Sequence, residues 1–329
     1  MPTASWEPLI EVTRGPLVEC LHQGRVVVAD AQGRVLHALG DSQAPVYARS
    51  ALKPFQALPV LASGAADAFA FGAEDLALLC ASHSGEPQHT ARVARMLERI
   101  GCGADDLQCG CHPPLYLSPG DPPPAQGITP LHHNCSGKHS GFLAYCRHSR
   151  LPIADYLDPG NRLQRDIRGA LAGCAGVAEQ QLIAATDGCS APTYALPLAG
   201  LARAYALLAG GGDEHLKRLF RAMTGHPELV SGTGRSDVFY MSRRPGDIVA
   251  KVGAEGVQAI GVRSRGIGIA LKIADGSPRA AAAAAAAVLI QLGLMDASEL
   301  ATAPAILAPQ VRNARGIATG EVRAAFRLG

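Results

Sequence analysis

Aromatic and charged side chains are scarce in this chain: Phe, Trp and Tyr make up 5% of 329 residues, and Asp, Glu, Lys and Arg 18%. So few rings leave little stacking surface for bases, and a formal charge of +2 gives no electrostatic reason to expect a nucleic-acid partner. No uninterrupted apolar run reaches membrane-spanning length. The longest candidate, from Ala280, is mostly alanine and too short, so no membrane partner is expected either. Met1 to Glu7 lack a basic segment followed by an apolar one, the pattern of a secretory signal. Nine cysteines without that signal read as reduced thiols in a cytoplasmic protein, not as a disulfide framework. What remains is a globular composition, 48% hydrophobic, long enough to bury a sizeable core.

Taken in order, the chain suggests an α/β protein. Residues Leu9 to Leu39 read as strands, and Ala31-Gln32-Gly33-Arg34 forms the turn of a hairpin between Val26–Asp30 and Val35–Leu39. Helical spacing predicts helices over Ser50–Leu61, Gln88–Ile100, Leu163–Leu171, Leu196–Leu208 and His215–Met223. Cys102 to Pro130, rich in Gly, Pro and Cys, reads as a loop, and Ile183 to Thr186 as a short strand running into Asp187-Gly188-Cys189. Ile248–Val262 and Gly266–Ile273 are strand-like runs divided at Arg263-Ser264-Arg265. Ser277 can cap a helix with Pro278 at its first position and eight alanines, Ala280 to Ala287, along its body. A last strand, Glu321–Phe326, is expected to pair back into the sheet. No repeat and no linker stands out. The expectation is one two-lobed catalytic domain over 1–329, its sheet formed by both ends of the chain and a helical and loop region at about 50–245.

Ser50-Ala51-Leu52-Lys53 carries the first chemical signal. A serine is a poor nucleophile near neutral pH unless a base takes its proton, and residues three apart on a helix share a face. A buried lysine beside other cations can be such a base. The bland reading is a helix cap followed by a solvated lysine, and the motif alone favours it. A late Lys251-Val252-Gly253 on a predicted strand changes the balance. Serine hydrolases of the β-lactamase and penicillin-binding class pair an early S-x-x-K with a late K-S/T-G, although Val252 lacks the hydroxyl of that pattern. Ser82-His83-Ser84 is a second hydroxyl-rich loop, which could equally be a serine turn capping the helix at Gln88. Cys109-Gly110-Cys111-His112 is a soft-ligand cluster at weak spacing, followed by prolines that favour a structural turn. Cys135 and Cys189 lie beside glycine at the mouths of predicted elements, and from spacing alone each reads as a free thiol.

Together, the segments Ala48–Pro54, Cys80–Ser84, Asn134–His139, Thr186–Cys189, Phe220–Glu228 and Lys251–Ala254 resemble the rhizobial-type, thermolabile class of L-asparaginases, from about Leu9 to the C-terminal strand. The resemblance implies a β-lactamase-like α/β fold with an antiparallel sheet flanked by helices, a homodimer, and hydrolysis of L-asparagine to L-aspartate and ammonia. It further implies Ser50 as nucleophile with Lys53 as its base, and Ser82 with Lys251 as a second Ser–Lys tandem. By the same likeness Cys135, Lys138 and Cys189 bind zinc, in support of substrate affinity more than of the chemistry. Arg49, Asn134, His139 and Asp187 then stand near the substrate. Cys111 stands where the family more often has glycine. Two rivals are kept: a glutaminase or other serine amidohydrolase on the same fold, and a zinc-binding protein without catalysis. Assays of asparagine, glutamine and a β-lactam separate the first, and zinc binding without ammonia release would mark the second.

Overall fold

Unbroken apolar runs mark the centre of the structure. Val257-Gln258-Ala259-Ile260-Gly261-Val262 is buried at every position, and Ile267–Ile273 at all but one. Strands covered on one face alternate; strands covered on both faces do not. In the computed structural model, which describes residues 5–118, 120–125 and 127–329, these segments sit inside a large antiparallel sheet.

Among the described residues eleven strands are formed: β1 (Glu7–Arg14), β2 (Leu17–Asp30), β3 (Val35–Leu39), β4 (Pro45–Tyr47), β5 (Ile183–Thr186), β6 (Pro192–Pro197), β7 (Ile248–Gly253), β8 (Val257–Val262), β9 (Ile267–Ile273), β10 (Gln310–Arg312) and β11 (Ala318–Ala324). The main sheet has the order β10-β11-β1-β2-β9-β8-β7, with β3 also paired to β2. Its strands therefore come from the two ends of the chain. Between them lie α1 (Lys53–Ala62), α2 (Ala65–Ala68), α3 (Ala73–Leu79), α4 (Pro87–Arg99), α5 (Ser136–His148), α6 (Arg162–Ala175), α7 (Leu198–Gly210), α8 (Glu214–Gly225), α9 (Pro227–Val230) and α10 (Ser236–Arg243). A last helix, α11 (Pro278–Gln291), follows β9.

Helices α7 and α11 both pack against β8 and β9, which is why those strands are apolar throughout. Close approach is possible because small residues meet: a Cβ on Gly268 would stand 1.9 Å from the Ala202 carbonyl oxygen of α7. The alanine run of α11 serves the same end, with Ala280, Ala281, Ala282, Ala284, Ala285 and Ala286 buried. Ser277 caps it, its Oγ accepting the Ala280 N–H at 3.2 Å.

Most local expectations match these elements. The hairpin closes through Gly33 at φ +87°, and the final strand pairs with β1 as Ile10 opposite Ala324. Three differ. Ile248–Val262 is not one run but two strands, turned at Ala254-Glu255-Gly256 with Glu255 at φ +59°. The helix expected from Ser50 begins as a 3-10 turn, Arg49–Leu52, and becomes α-helical only at Lys53. Of a small sheet, β4-β6-β5, only the short strand Ile183–Thr186 was expected, and it forms with those bounds; β4 and β6 had no counterpart. Positions 119 and 126 of the expected loop, and residues 1–4, lie outside the described residues. Among the described residues no helix is long and apolar enough to cross a membrane.

Candidate active site

The chain just ahead of α1 places the chemistry. Arg49 stands at φ +51°, a conformation L-residues adopt at a cost of about 1–2 kcal/mol, and it swings Ser50 into the opening 3-10 turn. The first hydrogen bond of that turn runs from Ala51 N–H to Ala48 O at 3.1 Å. The Arg49 and Ser50 amides precede it and have no helical carbonyl to bind. Ser50 is partly exposed and lines a cavity of about 290 Å3 together with Ser82, Asn134, Arg235 and the turn Val252–Gly256.

Lys53 lies under this cavity, 1% exposed. Its Nζ donates to Ser82 Oγ at 2.9 Å, to Asn134 O at 3.3 Å and to Ala81 O. The expected Ser50–Lys53 hydrogen bond is thus not formed. The amine turns instead to the loop after α3, where two carbonyls and the Ser82 hydroxyl surround it. Ser82 is held there by its own N–H, bonded to Val230 O at 2.9 Å.

Lys251, on β7, is fully buried and does not bond Ser82; its Nζ donates to Val252 O at 2.9 Å. Asp237 of α10 is 3.8 Å away, also fully buried. That carboxylate is already occupied by Ser231 Oγ, the Val252 N–H and Gln258 Nε2, each at 2.9 Å. Burial pushes the Lys251 ammonium down to about 7; Asp237 opposes this, while Lys53 and Arg235 reinforce it.

A second cluster forms where α5 begins. Cys135, Lys138 and Cys189 are 4%, 2% and 2% exposed, and Lys138 Nζ lies 3.1 Å from Cys189 Sγ. A hydrogen bond from Cys189 holds the Cys135 thiol well below its ordinary range, against burial and with help from Lys53 and Lys138. Burial alone would lower Lys138, yet Cys189, Cys135 and Asp187 outweigh it and raise its pKa. Asp187 is pushed up by burial but kept below its usual value by Lys138, by the 2.7 Å hydrogen bond from Arg49 Nε, and by the Gly188 N–H. Ser190, just after Cys189, is another left-handed residue at φ +66°. Among the described residues no group of three His, Cys, Asp or Glu side chains gathers as a metal site; the Lys138 amine brings a third donor to the two thiols. Two soft sulfurs and an amine, all sequestered from water, are a donor set that fits a thiophilic cation such as zinc.

His139 is fully buried, its Nδ1 2.7 Å from the Tyr156 hydroxyl, and it does not line the cavity. Burial depresses the ring to about 4, and the neighbouring Cys189 thiol opposes this, although Nε2 meets no partner at full hydrogen-bond geometry. The Cys109–His112 segment is a structural turn. Cys109 points inward, Cys111 is exposed, and His112 Nε2 accepts the Asn134 N–H at 3.1 Å, steadying the approach to α5. In Ser82-His83-Ser84 only the first serine faces the cavity. His83 Nδ1 accepts the Gly85 N–H, so its Nε2 donates to Ser136 Oγ at 2.9 Å; Ser84 donates to Ser231 O. The helix after this loop is capped by Glu86 and His89, not by a serine. Sequence reasoning missed Arg235, Asp237, Glu255 and Gln258. The glycine-rich Ser231–Arg235 loop next to α10 was the one available hint.

A family profile described as L-asparaginase II matches residues 10–324. No curated protein matches the chain. Among solved structures, Mglu in its native form is similar at 17% identity and a TM-score of 0.38, over 83% of this chain and 65% of that one. Mglu in its tris and glutamate form gives 17% and 0.37, over 89% and 64%. A β-lactamase (Mb2281c) from Mycobacterium bovis gives 14% and 0.36, over 82% and 94%. The chain thus spans just under two thirds of the length of Mglu.

Proposed function

The chain belongs to the L-asparaginase II family of amidohydrolases, and on that premise we propose that it hydrolyses L-asparagine to L-aspartate and ammonia by acyl transfer to Ser50. The observation that supports this most is the shared cavity. One partly exposed hydroxyl, Ser50, and one lysine-bound hydroxyl, Ser82, face the same small space beside the unpaired first-turn amides.

In this reading Ser50 Oγ attacks the side-chain amide carbon. Its proton passes by way of Ser82 to Lys53, which takes part as the neutral amine: two hydrogens stay on the Ala81 and Asn134 carbonyls, and the lone pair receives the Ser82 proton. Backbone amides at the head of the 3-10 turn receive the oxyanion, where one lost donor costs roughly 3–4 kcal/mol. The proton returns to the departing ammonia, and water then cleaves the aspartyl ester on Ser50. Lys251 does not touch Ser82 and is the group poised to exchange a proton near pH 7. Arg49 and Asp187 brace each other and hold the turn that carries Ser50.

Cys135, Lys138 and Cys189 would hold zinc, and the ion would supply fixed positive charge in support of substrate affinity. Lysine must be neutral to ligate, so loading releases its proton and grows stronger as pH rises. The active form in this reading is a cytoplasmic homodimer. An ammonia-release assay on asparagine, glutamine and a chromogenic β-lactam tests the assignment. Asparagine should be turned over fastest and the β-lactam not at all; turnover of glutamine alone would overturn the substrate.

A further inference from the structure

The cavity that holds the two hydroxyls also presents one side chain of each charge. Arg235 lines it from the glycine-rich loop before α10, half-buried, and among the described residues its guanidinium makes no ion pair or hydrogen bond. That loop is pinned from below. A Cβ on Gly232, at φ +114°, would stand 2.4 Å from Ser84 Oγ, and Glu86 Oε1 accepts the Thr233 N–H at 2.8 Å. Arg235 is therefore aimed by a fixed backbone rather than by a carboxylate partner.

Glu255 lines the same cavity from the β7–β8 turn. Its side chain is 69% exposed; Arg49 Nη1 is 4.0 Å away, at the limit of an ion pair, and Lys272 Nζ donates at 2.7 Å to the Glu255 backbone carbonyl rather than forming an ion pair with the carboxylate. The backbone there is at φ +59°, where glycine or asparagine would sit without strain. Gly276, also in the wall, leaves the carboxylate its room: a Cβ on it would come within 2.8 Å of Glu255 Oε2. Glu255 shares its left-handed conformation with Arg49 and Ser190, which also border the candidate site, and strained non-glycine backbone tends to persist where function holds it.

An unpaired guanidinium and a barely paired carboxylate on one cavity match the two charges of a free α-amino acid. We propose that Arg235 binds the α-carboxylate and Glu255 the α-ammonium of the substrate, leaving its side-chain amide to Ser50 and Ser82. The substrate class is then a free α-amino acid amide and not a peptide or a simple amide. Planar guanidinium groups bind carboxylates through two parallel hydrogen bonds. The volume agrees, since about 290 Å3 lies at the small end of ligand pockets. This inference rests on the amidohydrolase reading of the site.

The test is calorimetric binding of three ligands to the full chain: L-aspartate, succinamate, which lacks the amine, and 3-aminopropanamide, which lacks the α-carboxylate. Ammonia release from asparagine is measured in parallel. Arg235→Gln should weaken L-aspartate and succinamate by about 10- to 100-fold and leave 3-aminopropanamide within about twofold. Glu255→Gln should weaken L-aspartate and 3-aminopropanamide by about 5- to 10-fold, less because the carboxylate is exposed, and spare succinamate. The clamp is overturned if both variants weaken all three ligands alike, if neither changes any, or if the wild-type chain binds none. Should the wild-type chain release no ammonia, the hydrolase reading fails by itself, and the crossed binding pattern still decides the clamp.

Discussion

Lys251 and Lys138 are the same residue type at the same burial, 0% and 2% exposed, yet their surroundings drive them in opposite directions. Burial takes Lys251 down to about 7, because its one carboxylate neighbour is already claimed by three donors and two cations stand nearby. Lys138 is raised, because two thiols and Asp187 outweigh the same burial. Desolvation sets the starting point, and partner charge decides the sign. The hydroxyl half of the site thereby gains an amine able to lose a proton near neutral pH. The thiol half gains a charged amine, which releases its proton to water when a metal ion takes its lone pair.

The largest effect should come from the hydroxyl half. Ser50→Ala is expected to lower asparagine turnover by about 10^3-fold or more with the thermal midpoint little changed, because the side chain is partly exposed and makes no hydrogen bond among the described residues. Near-normal turnover would break the assignment.

Lys251→Met comes next, with a loss of about 10^2- to 10^4-fold at pH 8. Loss of the Lys251 charge above about pH 7 removes a cation that faces Lys53, so the wild-type rate should rise with pH through about 7 and the variant should lose that limb. Stability carries a matching sign. Lys251 has a folded pKa below its unfolded value of 10.5, so between about pH 7 and 10.5 the unfolded chain binds the extra proton. Its contribution therefore makes the fold more stable as pH rises across that window, and the full cost of charging is present below it. Urea midpoints at pH 6 and pH 9 should differ less in the variant than in the wild type.

In the thiol half, Cys135→Ser and Cys189→Ser should weaken zinc binding by about 10- to 100-fold. Metal analysis after dialysis reads the loss. If the ion supports affinity, KM rises by a similar factor while kcat stays within a few-fold; an equal fall in kcat would give the thiols a part in the chemistry. Cys111→Ser, on an exposed thiol outside the cluster, should change neither zinc content nor activity and should shift stability by less than about 0.5 kcal/mol.

The contrast between the two halves also marks how far the sequence could be read. Features fixed by neighbours along the chain were legible: the Gly33 hairpin, the Ser277 cap and the alanine face of α11. The hydroxyls and thiols were found through short motifs, and Ser50, Ser82 and Asn134 do line one cavity. The partner of Lys53 was not legible. Spacing of three is right for an α-helix beginning at Ser50, but Arg49 at φ +51° starts a 3-10 turn, and the carbonyls of Ala81 and Asn134 draw the amine elsewhere. Asp237 and Gln258 meet only because α10 folds against β7 and β8, and no local pattern encodes that contact. Strand β5 was legible, but its partners β4 and β6 are three and six residues long and both carry prolines, so they offered no period to count.

The central claim is that the acyl group rides on Ser50 while Ser82 passes the proton. Acid-quenched enzyme, mixed with asparagine and mapped by peptide mass spectrometry, tests it most directly. An aspartyl ester on the Ser50 peptide, still formed though slowly in Ser82→Ala, is the predicted result. An ester on the Ser82 peptide, or full turnover by Ser50→Ala, would contradict it.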